Sequence, residues 1–295
     1  MRTAPGSLIF NISDERRRCF LLQNKKLITG DGIKRIVAVS DIHGWYIPLR
    51  ELFIKGGIIE VAREEDADFN VDDDNFRYVG RETTIMILGD FVDVDNEGRK
   101  VMELITRIEK EAEDAGGELI TLSGNHELDL LGRDDIYWGK IEYYIDWIRD
   151  KPYAAIINDI LFIHAGISNS AIDKLYEFQK NGEELIKTFK RALEDDEEFR
   201  WEVVNRSFDL KDSETIERIL KDLRVDYVVV GHVSILAKRR NEIKLVGPEI
   251  EGSQRIFNID TEMGIWSSSA GIRKNGGMLS LSWKENGNLE IDYIF

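Results

Sequence analysis

Short apolar runs that break off at a glycine or a polar residue set the rhythm of this chain. Ile36–Val39 runs into Ser40, Thr84–Leu88 into Gly89, and Leu119–Leu122 into Ser123. Ile160–Ile163 runs into His164, and Tyr227–Val230 into Gly231. A short, continuous apolar run bounded by turn residues reads as a strand buried on both faces, the kind found in parallel sheets. Helical spacing fills the gaps between runs. Leu49, Leu52 and Phe53 fall on one face of Tyr46–Lys55, which Gly56-Gly57 stops. Val101, Leu104, Ile105, Ile108 and Ala112 do the same in Gly98–Ala115, which Gly116-Gly117 closes. Strand, helix and strand therefore alternate from 35 to 122, which implies parallel pairing with right-handed crossovers.

Ile141, Tyr144, Ile145 and Ile148 predict a further helix over 140–150. Asn158-Asp159 between two apolar runs predicts a tight hairpin, and helices take most of 170–222. The tail reads as β over Arg255–Ile259, Gly277–Trp283 and Asn288–Ile294, the last two joined at Asn286-Gly287. Residues 1–34 read as an irregular N-terminal cover with room for one hairpin. No polar linker divides the chain. The expected architecture is a single α/β domain over 1–295 with its core at about 35–295.

Composition narrows the partners. The 295 residues carry a net charge of −16, which disfavours polynucleotides, whose binding draws on Lys and Arg neutralising phosphates. A small anionic substrate stays open, because bound metal ions and a few arginines reverse the local potential. The single cysteine, Cys19, allows no internal disulfide. No apolar segment reaches membrane-spanning length, and no secretory leader is recognisable behind Met1. The expected setting is cytoplasmic. Between 60 and 75 lie Glu60, Glu64, Glu65, Asp66, Asp68, Asp72, Asp73 and Asp74. They lack the spacing and central glycine of a calcium loop and read as a solvated surface insertion.

The chemistry lies where the apolar runs end. The chain has four histidines, His43, His126, His164 and His232, and each follows such a run. A lone histidine there is most often a packed core residue. Four of four, joined in equivalent places by Asp41, Asp90, Asp93 and Asn125, need one shared cause. Packing does not supply it, because burying carboxylates without partners is costly. A pair of divalent ions about 3.5–4 Å apart does, since it can hold both the attacking and leaving oxygens of a phosphoryl displacement. Mixed imidazole, carboxylate and amide donors suit manganese, iron or zinc better than calcium or magnesium alone.

The quoted stretches resemble a known family. Asp41-Ile42-His43-Gly44, Gly89-Asp90-Phe91-Val92-Asp93, Gly124-Asn125-His126-Glu127, His164-Ala165-Gly166 and Gly231-His232 look like the motifs of calcineurin-like metallophosphoesterases. Within them the chain is similar to the phosphoprotein phosphatases, because many other members carry a second histidine where this chain has Ser234. The flanks Glu111–Gly117 and Ile259-Asp260-Thr261 resemble the Shewanella-like, bacterial-type branch. The resemblance spans roughly 35–283. It implies two mixed β-sheets sandwiched between helices, the four-layer sandwich of the superfamily. It implies two divalent ions, manganese first with iron or zinc as alternatives. One is held by Asp41, His43 and Asp90, the other by Asp90, Asn125, His164 and His232, with a bridging hydroxide as nucleophile. His126 is then the general acid that Asp93 orients, and Arg206 and Asn125 hold the substrate phosphate; Arg133 is a weaker candidate for the same task. The family's arginine after the second aspartate is replaced by Val94. The implied substrate is a phosphorylated Ser, Thr or Tyr side chain or a small phosphoester. A symmetrical dinucleoside-tetraphosphate hydrolase and a non-enzymatic metal-containing scaffold are the rivals. Retention of His126 and Asp93, which bind no metal in this scheme, speaks against the scaffold.

Overall fold

The computed structural model describes residues 8–11, 27–61, 76–132, 144–207, 212–233, 236–239, 242–245, 255–260, 266–267, 272–273, 277–284 and 286–294. In chain order the first strands are β1 (Leu8–Asn11), β2 (Leu27–Gly30), β3 (Arg35–Val39), β4 (Ile59–Val61), β5 (Phe76–Tyr78), β6 (Thr84–Ile87), β7 (Glu118–Thr121), β8 (Ala154–Ile157) and β9 (Ile160–Ile163). They continue with β10 (Tyr227–Val230), β11 (Leu236–Arg239), β12 (Glu242–Leu245), β13 (Ile256–Asn258), β14 (Trp266–Ser267), β15 (Ile272–Arg273), β16 (Met278–Trp283) and β17 (Asn288–Ile294). The helices are α1 (Tyr46–Lys55), α2 (Gly98–Asp114), α3 (Asn125–Leu131), α4 (Ile145–Arg149), α5 (Asn169–Phe178), α6 (Leu185–Asp195), α7 (Glu197–Asn205) and α8 (Ser213–Leu223).

Two mixed sheets carry the architecture. One has the order β1-β17-β16-β3-β6-β7 and the other β13-β10-β9-β8-β2. Side-chain alternation along each strand decides what packs where. Val37 and Val39 of β3 and Ile85 and Ile87 of β6 face outward against α1 and α2, meeting Leu49, Phe53, Val101 and Ile105. Their neighbours Ile36, Ala38 and Met86 face inward to meet Ile160, Phe162 and Val229 of the second sheet. Leu161, Ile163, Val228 and Val230 look out from that sheet onto α5 to α8, among Ile172, Phe189, Val203 and Ile219. Helices, sheet, sheet and helices form the four expected layers.

Register positions the site. Strands β3, β6 and β7 run parallel with Val39 opposite Ile87 and Ile87 opposite Thr121, so they end almost level. Strands β9 and β10 also run parallel, with Phe162 opposite Val229. The loops after all five strands carry the residues singled out by the sequence.

One expectation needs adjustment, and two others fall partly outside the described residues. The N-terminal segment does not form a hairpin of its own among the described residues. Instead β1 pairs antiparallel with β17 and β2 runs parallel to β8, so each extends a different sheet and covers an edge that would otherwise be unpaired. The acidic insertion leaves and returns through an antiparallel ribbon of β4 and β5, while residues 62–75 lie outside the described residues. The helix expected over 140–150 is described as Ile145–Arg149, with Ile141 outside the described residues. The Asn158-Asp159 hairpin forms between β8 and β9, and both turn residues have positive φ, as a primed turn requires.

Candidate metal centre

Backbone shape is set first. Asp41, His43, Asp90, Asp93 and His232 all have φ between 50° and 99°, the left-handed region that side chains avoid. They are five of the nine such non-glycine residues among the described residues. Strain of this kind persists where surrounding contacts over-determine it, and it gathers at functional sites. Here the loops brace one another: the His43 N–H donates to the Asp90 carbonyl at 2.8 Å, and the Asp95 N–H to the His43 carbonyl at 2.8 Å. Glycine is required where loops touch. A Cβ on Gly89 would run into the backbone of Gly124 and the ring of His164, and one on Gly231 into Ser40 and the Asp41 carboxylate.

Asp90 stands at the centre. It is 2% exposed, and its Oδ2 lies 3.3 Å from His164 Nε2, 3.7 Å from His126 Nε2 and 3.9 Å from His43 Nε2. One carboxylate oxygen thus faces three imidazole nitrogens. Its Oδ1 accepts from the His126 backbone N–H at 3.0 Å. Asp41, equally buried, accepts from the His232 backbone N–H at 3.0 Å and faces His43 Nε2 at 4.0 Å. Asn125 Oδ1 lies 3.1 Å from His164 Nε2 and 3.0 Å from His232 Nδ1. Asp93 and His126 are joined through Oδ2 and Nδ1 in a hydrogen bond.

Electrostatics follow from crowding. Burial works to raise the Asp90 pKa, but the His164, His126 and His43 rings outweigh it and hold the carboxyl below its ordinary range. Asp93, likewise against burial, is held down by its bonds to His126 and His43. Burial disfavours charge on His164, yet the Asp90 carboxylate prevails and pushes it up to about 10. The hydrogen bond to Asp93 pushes His126 up to about 9. Burial and the neighbouring His164 depress His232. The carboxylates therefore demand positive charge in a pocket of imidazoles.

That demand, with this donor set, is what divalent ions meet. Asp41, His43 and Asp90 converge closely enough to share an ion, as do Asp90, His164 and His232. His164 Nδ1 donates to the Leu88 carbonyl at 2.7 Å, which leaves the lone pair of Nε2 available to a ligand. The backbone carbonyl of Asn205 accepts from the His232 ring and holds it in a similar way.

Of the residues expected for phosphate binding, Asn125 sits within this cluster. Arg206 is exposed, with its guanidinium over the Trp201 ring at 5.4 Å, although it directly follows Asn205. Arg133 lies outside the described residues, and Val94 is 63% exposed just beyond Asp93. Sequence reasoning also passed over Glu127. It is fully buried and accepts from the backbone N–H groups of Asp90 at 2.7 Å, Gly124 at 2.8 Å and Phe91 at 3.0 Å, tying the central loop to α3. Its position three residues after Gly124 is the spacing of a capping box, a signal that could have found it.

The calcineurin-like phosphoesterase family matches residues 34–235. The chain belongs to this family. Shewanella-like protein phosphatase 2 of Arabidopsis thaliana is 30% identical over 119 residues, which is 39% of this chain and 27% of that protein. The chain thus spans little more than a quarter of that relative. Among solved structures, a cold-active protein tyrosine phosphatase from a Shewanella species superposes with a TM-score of 0.58 at 21% identity, covering 92% of this chain and 82% of that one. A protein serine/threonine phosphatase from Saccharomyces cerevisiae does so with a TM-score of 0.54 at 15% identity, covering 92% and 84%. At those identities the likeness establishes the shared fold. No helix among the described residues is long and apolar enough to cross a membrane.

Proposed function

We propose that this phosphoesterase is a phosphoprotein phosphatase of the Ser/Thr or Tyr type, working with two divalent ions, manganese first, as a single cytoplasmic domain. The observation that carries the reading is the Asp90 carboxylate, which faces three imidazole nitrogens within 3.9 Å. Asp41, His43 and Asp90 would hold one ion, and Asp90, Asn125, His164 and His232 the other. When bound, such ions polarise a phosphoryl oxygen and lower the pKa of a bound water.

The rest falls to the chain's own groups. His126 keeps a proton on Nδ1 against Asp93 and turns Nε2 toward the centre, where it can protonate a leaving oxygen. Asp93 stabilises the charged form of that ring. Arg206 and the amide of Asn125 take the phosphate. Support for a protein substrate comes from the relatives, whose names are those of protein phosphatases. The test is hydrolysis by the manganese-loaded chain of p-nitrophenyl phosphate, of phosphoserine, phosphothreonine and phosphotyrosine peptides, and of diadenosine tetraphosphate. Phosphopeptides should turn over best among the natural substrates. Preferential cleavage of diadenosine tetraphosphate would overturn the protein-phosphatase reading.

A further inference from the structure

Asp93 lies between two imidazoles, not against one. Its Oδ2 accepts a hydrogen bond from His126 Nδ1. Its Oδ1 stands 3.5 Å from His43 Nδ1, at the limit of a hydrogen bond, and both of those atoms are shut away from solvent with no other partner. The two rings meet edge to face, their centroids 4.7 Å apart. The φ of Asp93 is 99°, a conformation that is costly for a non-glycine residue and is kept only where neighbours enforce it. Enforcing it here aims the carboxylate into the gap between the rings.

The two nitrogens of His43 then have separate tasks. With Nδ1 turned to Asp93, the neutral ring keeps its proton there and presents the lone pair of Nε2. Nε2 faces Asp41 at 4.0 Å and Asp90 at 3.9 Å. A carboxylate behind a ligating histidine fixes its tautomer and orientation and strengthens it as a donor. We infer that Asp93 is a positioning residue for the ion site of Asp41, His43 and Asp90 as well as for His126. One carboxylate thereby couples metal retention to the placement of the proton donor. The inference rests on the proposed reading of the site.

His43, Asp93 and His126 also converge closely enough to form an ion site of their own. The bond between His126 Nδ1 and Asp93 argues against it, because a nitrogen that donates there cannot also ligate.

Metal binding tests the inference apart from turnover. The full chain is stripped with chelator, titrated calorimetrically with Mn²⁺ and assayed for bound metal, beside Asp93→Asn, His126→Asn, His43→Ala and the His43→Ala/Asp93→Asn pair. Asp93→Asn should weaken one of two binding events by roughly 10–100-fold, the usual cost of losing such a partner. His126→Asn should bind like the parent. In the His43→Ala background, Asp93→Asn should change the remaining affinity by less than about twofold, because its effect runs through that ring. Asp93→Glu, which keeps the charge, takes its place if Asp93→Asn does not fold without metal, and should weaken the same event. Parent-like binding by the Asp93 variants would sink the inference alone. So would a third equivalent in the parent that vanishes in both the Asp93 and His126 variants. A parent that binds no metal would sink the reading of the whole site.

Discussion

The two ends of the cluster use the same residue types and are held in different ways. At the inner end His164 is completely buried, and a neutral backbone carbonyl fixes its ring, as another does for His232. At the outer end the side chains of His43 and His126 are 21% and 30% exposed, and both lean on the charged carboxylate of Asp93. A carbonyl orients a ring without adding net charge. A carboxylate orients it and also stabilises its protonated form. On the proposed reading both ends would hold an ion, and the more exposed outer end would also keep a proton-bearing ring within reach of a substrate.

Removing what the ends share should have the largest effect. Asp90→Asn takes away the negative charge that faces all three Nε2 atoms, and both ions should be lost together with activity. Elemental analysis of the purified variant checks this. Two ions retained per chain with near-normal turnover would show that the ends are independent.

His126→Asn breaks the outer end alone. Metal content should stay at the parental level while turnover falls, by roughly 10²–10⁴-fold for a poor leaving group such as a serine alkoxide. p-Nitrophenolate needs less protonation and should lose less. Equal losses on both substrates would remove His126 from the proton-donating role.

Glu127→Gln probes the scaffold beneath. The carboxylate offers acceptors to the N–H groups of Asp90, Phe91 and Gly124, whereas the amide must turn its NH₂ toward one or more of them. An unsatisfied buried donor costs about 1–3 kcal/mol, so the urea midpoint should fall by a corresponding amount. An unchanged midpoint would mean that the loops brace themselves through the bonds between His43, Asp90 and Asp95.

Much of this arrangement is legible in the sequence because the strands write it plainly. Ile36–Val39 and Ile85–Leu88 are apolar at every position, so they must be buried on both faces, and their polar successors must then sit at strand ends. Register could not be read that way. That Val39 and Ile87 lie opposite each other, bringing Asp41 beside Asp90, depends on pairing between segments far apart in the chain. The place of Leu27–Gly30 is hidden for a similar reason, since nothing local to it says that β8 will accept it as a parallel neighbour. Supports made of backbone were also invisible. The carbonyls of Leu88 and Asn205 act through their positions, whatever side chains those residues carry.

Val94 gives the smallest effect and the sharpest question about the outer end. The family resemblance implies an arginine directly after the second aspartate, and here a valine stands 63% exposed. Its exposure leaves room for a longer side chain. If the position lines the substrate's approach to His126, Val94→Arg puts a cation beside the phosphate of a small monoester. A hydrogen bond to a charged group contributes about 1.5–3 kcal/mol at best, and water at so exposed a position reduces that. A gain in kcat/KM of about tenfold is expected, equivalent to about 1.4 kcal/mol and carried mostly by KM, because the phosphate is held alike in the ground and transition states. Initial-rate kinetics on p-nitrophenyl phosphate, with metal content measured alongside, decides it. If kcat/KM stays level or falls while both ions remain bound, the outer end is fitted to a substrate that does not use that cation. The contrast between the ends would then extend from how they hold their histidines to what they admit.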